Sequence, residues 1–392
     1  MSDSPALVLP AGGGARALTA IIVSAAFVGL TIGYAAPLMA LMLEAQGYSS
    51  SEVGINAMAP ALATILLGPL VPWICRRLGF INALILSLLA EVLVLVTLAF
   101  VEGLWLWFAL RFLMGMFGAI HWIGSETWII AIARPEHRGK TIAFYMISIS
   151  GGFAAGAPMI LLFGSEGSLP LLAAAAILLP AAPLLWLARN AAPRLPPAPR
   201  AAFAAAFRIA PLVILAALLA GFTDMAALTH LAIYGLYSGM AENLAVLMLS
   251  VMLLANLALQ FPLGWLADRL DRRQLLIGCG GIFFVAPLLI TLTIPHSWTL
   301  WPVMVVWGGA SLGIYTLALT ILGDRFPPGL LAAANAAVVA IYQFGAILGQ
   351  PAGGAGMDLF GPNGLMYVLS GAAFLFLGFA AWRSVVRRRV PG

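Results

Sequence analysis

Polar positions are rare along this chain and fall in short clusters, and between them lie twelve long apolar runs. Breaks by charge, proline or glycine set the runs near 18–44, 52–75, 81–101, 104–133, 140–164, 168–188, 209–237, 243–267, 275–295, 298–323, 330–357 and 363–386. A helix that crosses a bilayer needs about 20 apolar residues, so each run is long enough to span. Barrel strands would show short alternating segments of about 10 residues instead. The pattern therefore predicts an all-α integral membrane protein with twelve transmembrane helices. Composition agrees: 63% of the 392 residues are hydrophobic and 8% are charged, more apolar surface than a soluble domain can keep from water.

Charge then orients the helices. The formal net charge is +5, but its distribution excludes a nucleic-acid partner. Of the 19 Lys and Arg, Arg111 alone lies in the body of a predicted span. The others gather at alternate connections: Arg16, Arg76 and Arg77, Arg134 to Lys140, Arg189 to Arg208, Arg269 to Arg273, Arg325, and Arg383 to Arg389. The opposite connections carry Glu44, Glu52, Glu102, Glu166, Glu242, His296 and Asp358. By the positive-inside rule both termini are expected in the cytoplasm of a bacterium, with the chain in its inner membrane. Residues 1–15 lack a basic n-region and the first run is too long for a cleaved leader, so no signal peptide is expected. Cys75 and Cys279 fall near cytoplasmic helix ends and read as reduced packing residues.

The longest break, Arg189 to Arg208, holds Pro193, Pro196, Pro197 and Pro199 and reads as a semi-rigid linker. It divides the chain into a tail (1–17), a first six-helix bundle (18–188), the linker (189–208), a second bundle (209–386) and a second tail (387–392). The halves repeat each other. Gly264-Trp-Leu-Ala-Asp-Arg-Leu-Asp-Arg-Arg273 has a worn copy 192 residues earlier in Pro72-Trp-Ile-Cys-Arg-Arg-Leu-Gly-Phe80. Gly47-Tyr-Ser-Ser-Ser-Glu52 matches Gly239-Met-Ala-Glu242, Gly152 and Pro158 match Gly345 and Pro351, and Gly115 matches Gly308. One glycine means packing. A shared offset across four elements means duplication.

These motifs resemble the major facilitator superfamily. Gly264–Arg273 is similar to its loop signature Gly-x-Leu-Ala-Asp-Arg-x-x-x-Arg between helices eight and nine. Arg111-Phe-Leu-Met-Gly115 with Gly118-Ala119 resembles its Arg-x-x-x-Gly motif in helix four, and Pro135-Glu-His-Arg-Gly-Lys140 its connection before helix five. Within the superfamily the chain resembles a YcaD-like bacterial branch. The resemblance implies two pseudo-symmetric six-helix bundles about a central cavity lined mainly by helices one, four, seven and ten, with alternating access by rocking of the halves. It implies a conformational latch from Gly264, Asp268, Arg269, Arg273, Arg76, Arg77 and Arg138. The first-half loop departs from the pattern, with Arg76 where the second half has Asp268 and Pro72 for Gly264, so the latch is better supported around Asp268, Arg269 and Asp271. A monomer is the family default.

Ionisable side chains within a membrane are costly and mark function by default. Candidates for substrate contact or proton coupling are Arg111, His121 and Glu126 in span four and Asp224 and His230 in span seven. Glu91 and Asp324 are further intramembrane acids. For Arg111 the resemblance implies coupling or substrate contact; the alternative is a structural pair with Glu91. Glu126 follows Arg111 by 15 residues, about 22 Å along a helix, so it is a separate site: a protonatable carboxylate, or a partner for the basic loops. His121 is a proton relay or a hydrogen-bonded packing residue. Asp224 can hold a proton on one side and release it on the other. Polar and aromatic stripes in the expected lining helices read as cavity wall or helix glue. They comprise Thr31 and Tyr34; Trp122; Tyr234 and Tyr237 following His230; Asn256 and Gln260; Trp307, Ser311 and Tyr315; and Asn335 and Gln343 with Tyr342.

No nucleophile–base pair or cluster of metal ligands accompanies these residues, so neither an enzyme nor a metal site is expected. No phosphate-cradling Gly-x-x-x-x-Gly-Lys-Ser/Thr run is present, so ATP is not the drive and no cofactor is called for beyond the proton. The sequence thus predicts a secondary active transporter of a small organic solute. Two cargo readings stand: proton-coupled export of amphipathic or drug-like compounds, and proton-linked uptake of a small metabolite. A lipid translocator or a non-transporting receptor are further alternatives.

Overall fold

The computed structural model describes residues 13–132, 138–191, 210–267, 269–293, 298–325 and 328–389, with backbone alone at some helix ends. Among them are twelve helices long and apolar enough to cross a membrane. They are α1 (Arg16–Ala45), α2 (Ser50–Leu78), α3 (Phe80–Leu98), α4 (Leu104–Ile129), α5 (Phe144–Phe163), α6 (Leu169–Leu187), α7 (Pro211–Tyr237), α8 (Glu242–Ala267), α9 (Arg272–Leu292), α10 (Leu300–Leu322), α11 (Ala334–Phe360) and α12 (Gly364–Arg383). Each end lies within four residues of its expected position. Helix is forced here because lipid offers backbone N–H and C=O groups no other partner.

Proline breaks some of these helices and not others, and Pro37 lies inside unbroken α1. In α2 the helix gives way to a 3-10 turn at Gly68–Leu70 around Pro69, and in α5 to one at Ala157–Met159 around Pro158. Pro180 separates the two segments of α6. Pro262, Pro287 and Pro351 lie inside unbroken α8, α9 and α11. Pro158 and Pro351 are repeat partners, yet only the first breaks its helix.

The chain forms two compact units, Met1–Ala35 with Ala63–Pro197, and Ala36–Leu62 with Ala198–Gly392. The division falls at Pro197/Ala198 and, within α1 and α2, at Ala35/Ala36 and Leu62/Ala63. The far end of α1 and the first part of α2, however, group with the second unit. The reason is close backbone packing: a Cβ on Gly54 would meet the Gln350 carbonyl carbon at 2.8 Å and Pro351 Cα at 2.9 Å. There is no room for a side chain.

Within each unit the repeat reappears as geometry. In the first, a Cβ on Gly152 of α5 would meet the Ala26 carbonyl and lie 2.8 Å from Leu30 N of α1. In the second, a Cβ on Gly345 of α11 would meet the Leu218 carbonyl and lie 2.8 Å from Phe222 N of α7. Both pairs let backbones touch where packing replaces the hydrophobic drive. The repeated Gly47 and Gly239 end α1 and α7 at φ +88° and +82°. Tyr48 N donates to Leu43 O (3.2 Å) and Met240 N to Gly235 O (3.0 Å), the six-to-one closure that a left-handed residue permits.

The helix ends carry interfacial anchors. Trp73, Trp186, Trp265 and Trp382 are exposed beside basic connections, and Trp105 and Trp298 at acid-side ends. Three guanidinium groups lie over the first three indoles: Arg77 on Trp73 (5.7 Å), Arg189 on Trp186 (3.7 Å) and Arg269 on Trp265 (3.8 Å). Such Trp–Arg pairs suit the headgroup level of a bilayer.

Candidate functional site

The second unit gathers the strongest constellation around Asp224, mid-way along α7. Ser311 Oγ of α10 donates to Asp224 Oδ1, and Tyr342 OH of α11 donates to Asp224 Oδ2 at 3.3 Å. Tyr315, one turn beyond Ser311, packs edge-on against Tyr342 with ring centroids 5.3 Å apart and planes at 71°. Two helices thus converge by hydroxyl donors on the carboxylate of a third. Asp224, Tyr315 and Tyr342 each keep part of their surface open, whereas Ser311 is buried. Thr223, the neighbour of Asp224, donates to Leu219 O within its own helix at 2.8 Å and takes no part.

The cluster is possible because α7 and α11 run in backbone contact. Gly345, Gly349 and Gly353 recur every four residues on α11 and fit against Leu218, Phe222, Ala226 and His230 of α7. Gly221 on α7 returns the fit against Tyr342. With the helices this close, the Tyr342 hydroxyl reaches across to Asp224.

Farther along the same pair, His230 is fully buried and its Nε2 donates to Gln350 O at 2.8 Å. Gln350 Nε2 in turn donates to Thr229 Oγ1 at 3.2 Å. His230 is therefore built into the α7–α11 seam. Tyr234 turns to the start of α12, donating to Asn363 Oδ1 at 3.3 Å. With Ser238, Met240, Thr291 and Asn363 it borders a cleft of about 250 Å³. Tyr237 is 46% exposed beside Glu44 and Ser50. The expected stripe of His230, Tyr234 and Tyr237 thus divides among three surroundings. So does the α10 stripe: Ser311 and Tyr315 join Asp224, but Trp307 is fully buried and packs on Phe283 of α9 at 6.4 Å. Gln260 and Gly264 of α8 border a cleft of about 180 Å³ with Thr316 and Thr320 of α10. Asn256 and Gln343 are half-buried and Asn335 is exposed.

In the first unit Arg111 of α4 and Glu91 of α3 are both buried, at 2% and 4% exposure. The Oε2 atom of Glu91 has no hydrogen-bond partner among the described residues. His121 Nε2 lies 3.3 Å from Ser125 Oγ one turn on. Glu126 shares a hydrogen bond with the half-buried Trp122 and lies near the buried Tyr145 of α5. Thr31 turns its hydroxyl back to Phe27 O at 2.9 Å. Tyr34 is fully buried against Phe163, with ring centroids 6.1 Å apart, and its OH lacks a hydrogen-bond partner among the described residues.

Of the expected latch, Asp268 and the side chain of Arg138 lie outside the described residues, as does the side chain of the intramembrane acid Asp324. Arg76 and Arg77 are exposed, and Arg269 stacks on Trp265. Arg273 is half-buried, with Nη2 lacking a hydrogen-bond partner among the described residues. Asp271 caps α9 by accepting from Gln274 N at 2.8 Å.

One constellation was not expected from the sequence. Asp358, near the end of α11, accepts from Ser50 N at 3.0 Å and Ser51 N at 2.8 Å, the first two amides of α2. The sequence signal was half present: Ser49-Ser-Ser-Glu52 reads as a capping box, which the structure contains. That box leaves two amides in want of an acceptor.

Comparison with known proteins places this geometry in a family. The chain is similar to the uncharacterised MFS-type transporter YfkF of Bacillus subtilis, 26% identical over 87% of this chain and 89% of that one. It is also similar to the uncharacterised MFS-type transporter YcaD of Escherichia fergusonii, 23% identical over 89% and 91%. Among solved structures it shares its fold with the nucleoside transporter NupG at a TM-score of 0.73, 13% identity and coverage of 97% and 100%. The D-xylose-proton symporter follows at 0.72, 17% identity and coverage of 92% and 97%. The model for the Major Facilitator Superfamily matches residues 21–252 and again 213–392, so that nearly the whole chain, twice over its repeated halves, belongs to that superfamily of transporters.

Proposed function

We propose that this transporter is a proton-coupled carrier of small organic solutes and that Asp224 is the group that takes up and releases the coupling proton. The observation that carries the reading is the convergence of Ser311 and Tyr342 on the two oxygens of Asp224. A carboxylate within the span of a membrane helix must be protonated or well supplied with donors. Two hydroxyls supply them without a fixed positive charge, so the group can hold charge in one state and a proton in another. Hydroxyl donors on α10 and α11 also give both neighbouring helices a stake in that change. One proton crossing a potential of about 100 mV releases about 2.3 kcal/mol, enough to hold a neutral cargo at a gradient of about fiftyfold.

On this reading the chain works as a monomer in a bacterial inner membrane, with its basic connections and both termini inside. The cargo is an amphipathic compound moved outward in exchange for protons. The aromatic surroundings of Asp224 and its hydroxyl donors favour that class over an anionic one.

The test is electrical. Purified protein in proteoliposomes on a sensor is screened with mixtures of organic solutes under an imposed pH gradient, with Asp224→Asn beside it. A cargo-dependent current that inverts with the gradient and disappears in Asp224→Asn supports the reading, and its sign separates export from uptake. Cargo binding without current, unaltered in Asp224→Asn, would sink it and return Asp224 to a packing role.

A further inference from the structure

The first turn of α2 has its free amides fully assigned, and half of the partners come from another part of the chain. Ser49 Oγ serves Glu52 N at 3.3 Å, and Glu52 Oε2 serves Ser49 N at 2.9 Å. The remaining two amides, of Ser50 and Ser51, go to the carboxylate of Asp358, some 308 residues away. An anion at a helix N-terminus is bound both by the amides and by the helix dipole. Just below, the backbones close on each other: a Cβ on Gly354 would meet Ser50 O and lie 2.8 Å from Ser51 N. Tyr237, ending α7, borders the same place with Glu44 of α1.

We propose that Asp358 is a gating latch: its carboxylate holds the tips of α1 and α2 on α7 and α11 and closes the transport path at the end away from the basic loops. Two features distinguish a latch from a permanent cap. The repeat puts α2 with the first half of the chain, and its lower part stays there, Thr64 Oγ1 donating to Gly115 O of α4 at 3.5 Å. Its tip alone is held by α11. Second, Asp358 itself is exposed, so on release both the carboxylate and the two amides pass directly to water and no charge is stranded. Such a bond breaks and re-forms at small cost, as a gate requires. The inference rests on the transporter reading only for why that end must open.

The test reads the gate without cargo or proton gradient. Cysteines at the exposed Gln46 and Phe360 positions, in a chain with Cys75 and Cys279 replaced by serine, carry spin labels, and their separation is measured in nanodiscs. The parent is expected to show mainly one short distance. Asp358→Ala and Asp358→Asn should each raise the population of longer distances about three- to tenfold, the worth of a charge at a helix end, and Asp358→Glu should keep it near the parent. Unchanged distances in a folded Asp358→Asn would overturn the latch. So would failure of both neutral variants to fold, which would make Asp358 a structural cap. Loss of coupled current in Asp224→Asn is scored separately, so either idea can fail alone.

Discussion

Replacing Gly221 by alanine puts a methyl group into the backbone of α11. The new Cβ would collide with the Tyr342 carbonyl oxygen, lie 2.7 Å from the carbonyl carbon and 3.0 Å from Cα. Carbon atoms in comfortable contact stay about 3.5–4.0 Å apart, so α7 and α11 must part by about 1 Å. What is struck is backbone, which cannot rotate away as a side chain would. Overpacking of this kind costs about 1–3 kcal/mol, with the rigid target arguing for the upper part of that range. The same shift would carry the Tyr342–Asp224 bond, now 3.3 Å, beyond hydrogen-bonding reach of about 3.5 Å. Gly281→Ala in α9 is the matched control, since nothing lies within 4 Å of its Cβ. Because membrane proteins inactivate irreversibly on heating, the useful reading is a half-life at fixed temperature in detergent. Gly221→Ala should shorten it about fivefold or more, by the factor that 1 kcal/mol sets, and should depress proton-driven transport. A Gly221→Ala protein as durable as Gly281→Ala would refute the claim that backbone contact holds α7 and α11 together.

Other outcomes follow from single contacts. His230→Ala removes the donor to the Gln350 carbonyl inside the seam and should cost about 1–3 kcal/mol, read as accelerated thermal inactivation. Stability equal to the parent would mean that the bond is dispensable. Tyr34→Phe deletes a buried hydroxyl that has no hydrogen-bond partner among the described residues, so stability should hold or improve. A loss of transport at unchanged stability would show instead that the hydroxyl meets cargo. Ser49→Ala removes one side of the capping box and should cost about 0.5–2 kcal/mol. Since Asp358 holds the neighbouring amides, the effect should be larger in an Asp358→Asn background, and strictly additive losses would contradict their cooperation.

How far the site could be read in advance depended on distance along the chain. Asp224 stood out because a carboxylate inside an apolar run is costly and marks a functional candidate by default. Its partners did not, because Ser311 and Tyr342 are 87 and 118 residues away, and helical periodicity says which residues share a face but not which helix that face meets. Trp307 shows the limit from the other side. It sits one turn before Ser311 and looked like the same cavity wall, yet it is buried on Phe283. An aromatic ring can pack on any apolar neighbour and leaves no sign of direction in the sequence. The duplication was more legible, since glycines that touch backbone cannot be exchanged: Gly152 and Gly345 meet equivalent atoms of α1 and α7. Pro158 and Pro351 were equally visible, but whether a proline breaks its helix depends on whether neighbours re-satisfy the freed carbonyl, and α5 and α11 answer differently.

The role of α11 brings these contacts together. Tyr342, Gln350 and Asp358 place one bond to the proposed proton site, one to the His230 seam and one to the tip of α2 along a single helix that runs unbroken from Pro328 to Phe360. The first and last are 16 residues apart, about 24 Å at 1.5 Å per residue. Direct electrostatics across that distance are screened to little in a wet path, so any influence of Asp224 on the far end must travel through the helix as a body. The glycine stripe supplies what that needs. Backbone contact along Gly345 and Gly349, with Gly353 against the side chains of Ala226 and His230, keeps α11 close on α7, and the bonds of Gln350 to His230 and Thr229 tie the seam between them. A proton on Asp224 weakens its claim on the Tyr342 hydroxyl, and the helix that loses that tether is the one whose far end holds the latch. Coupling then requires no chain of charges through the membrane. It requires one stiff helix with a polar contact at each end.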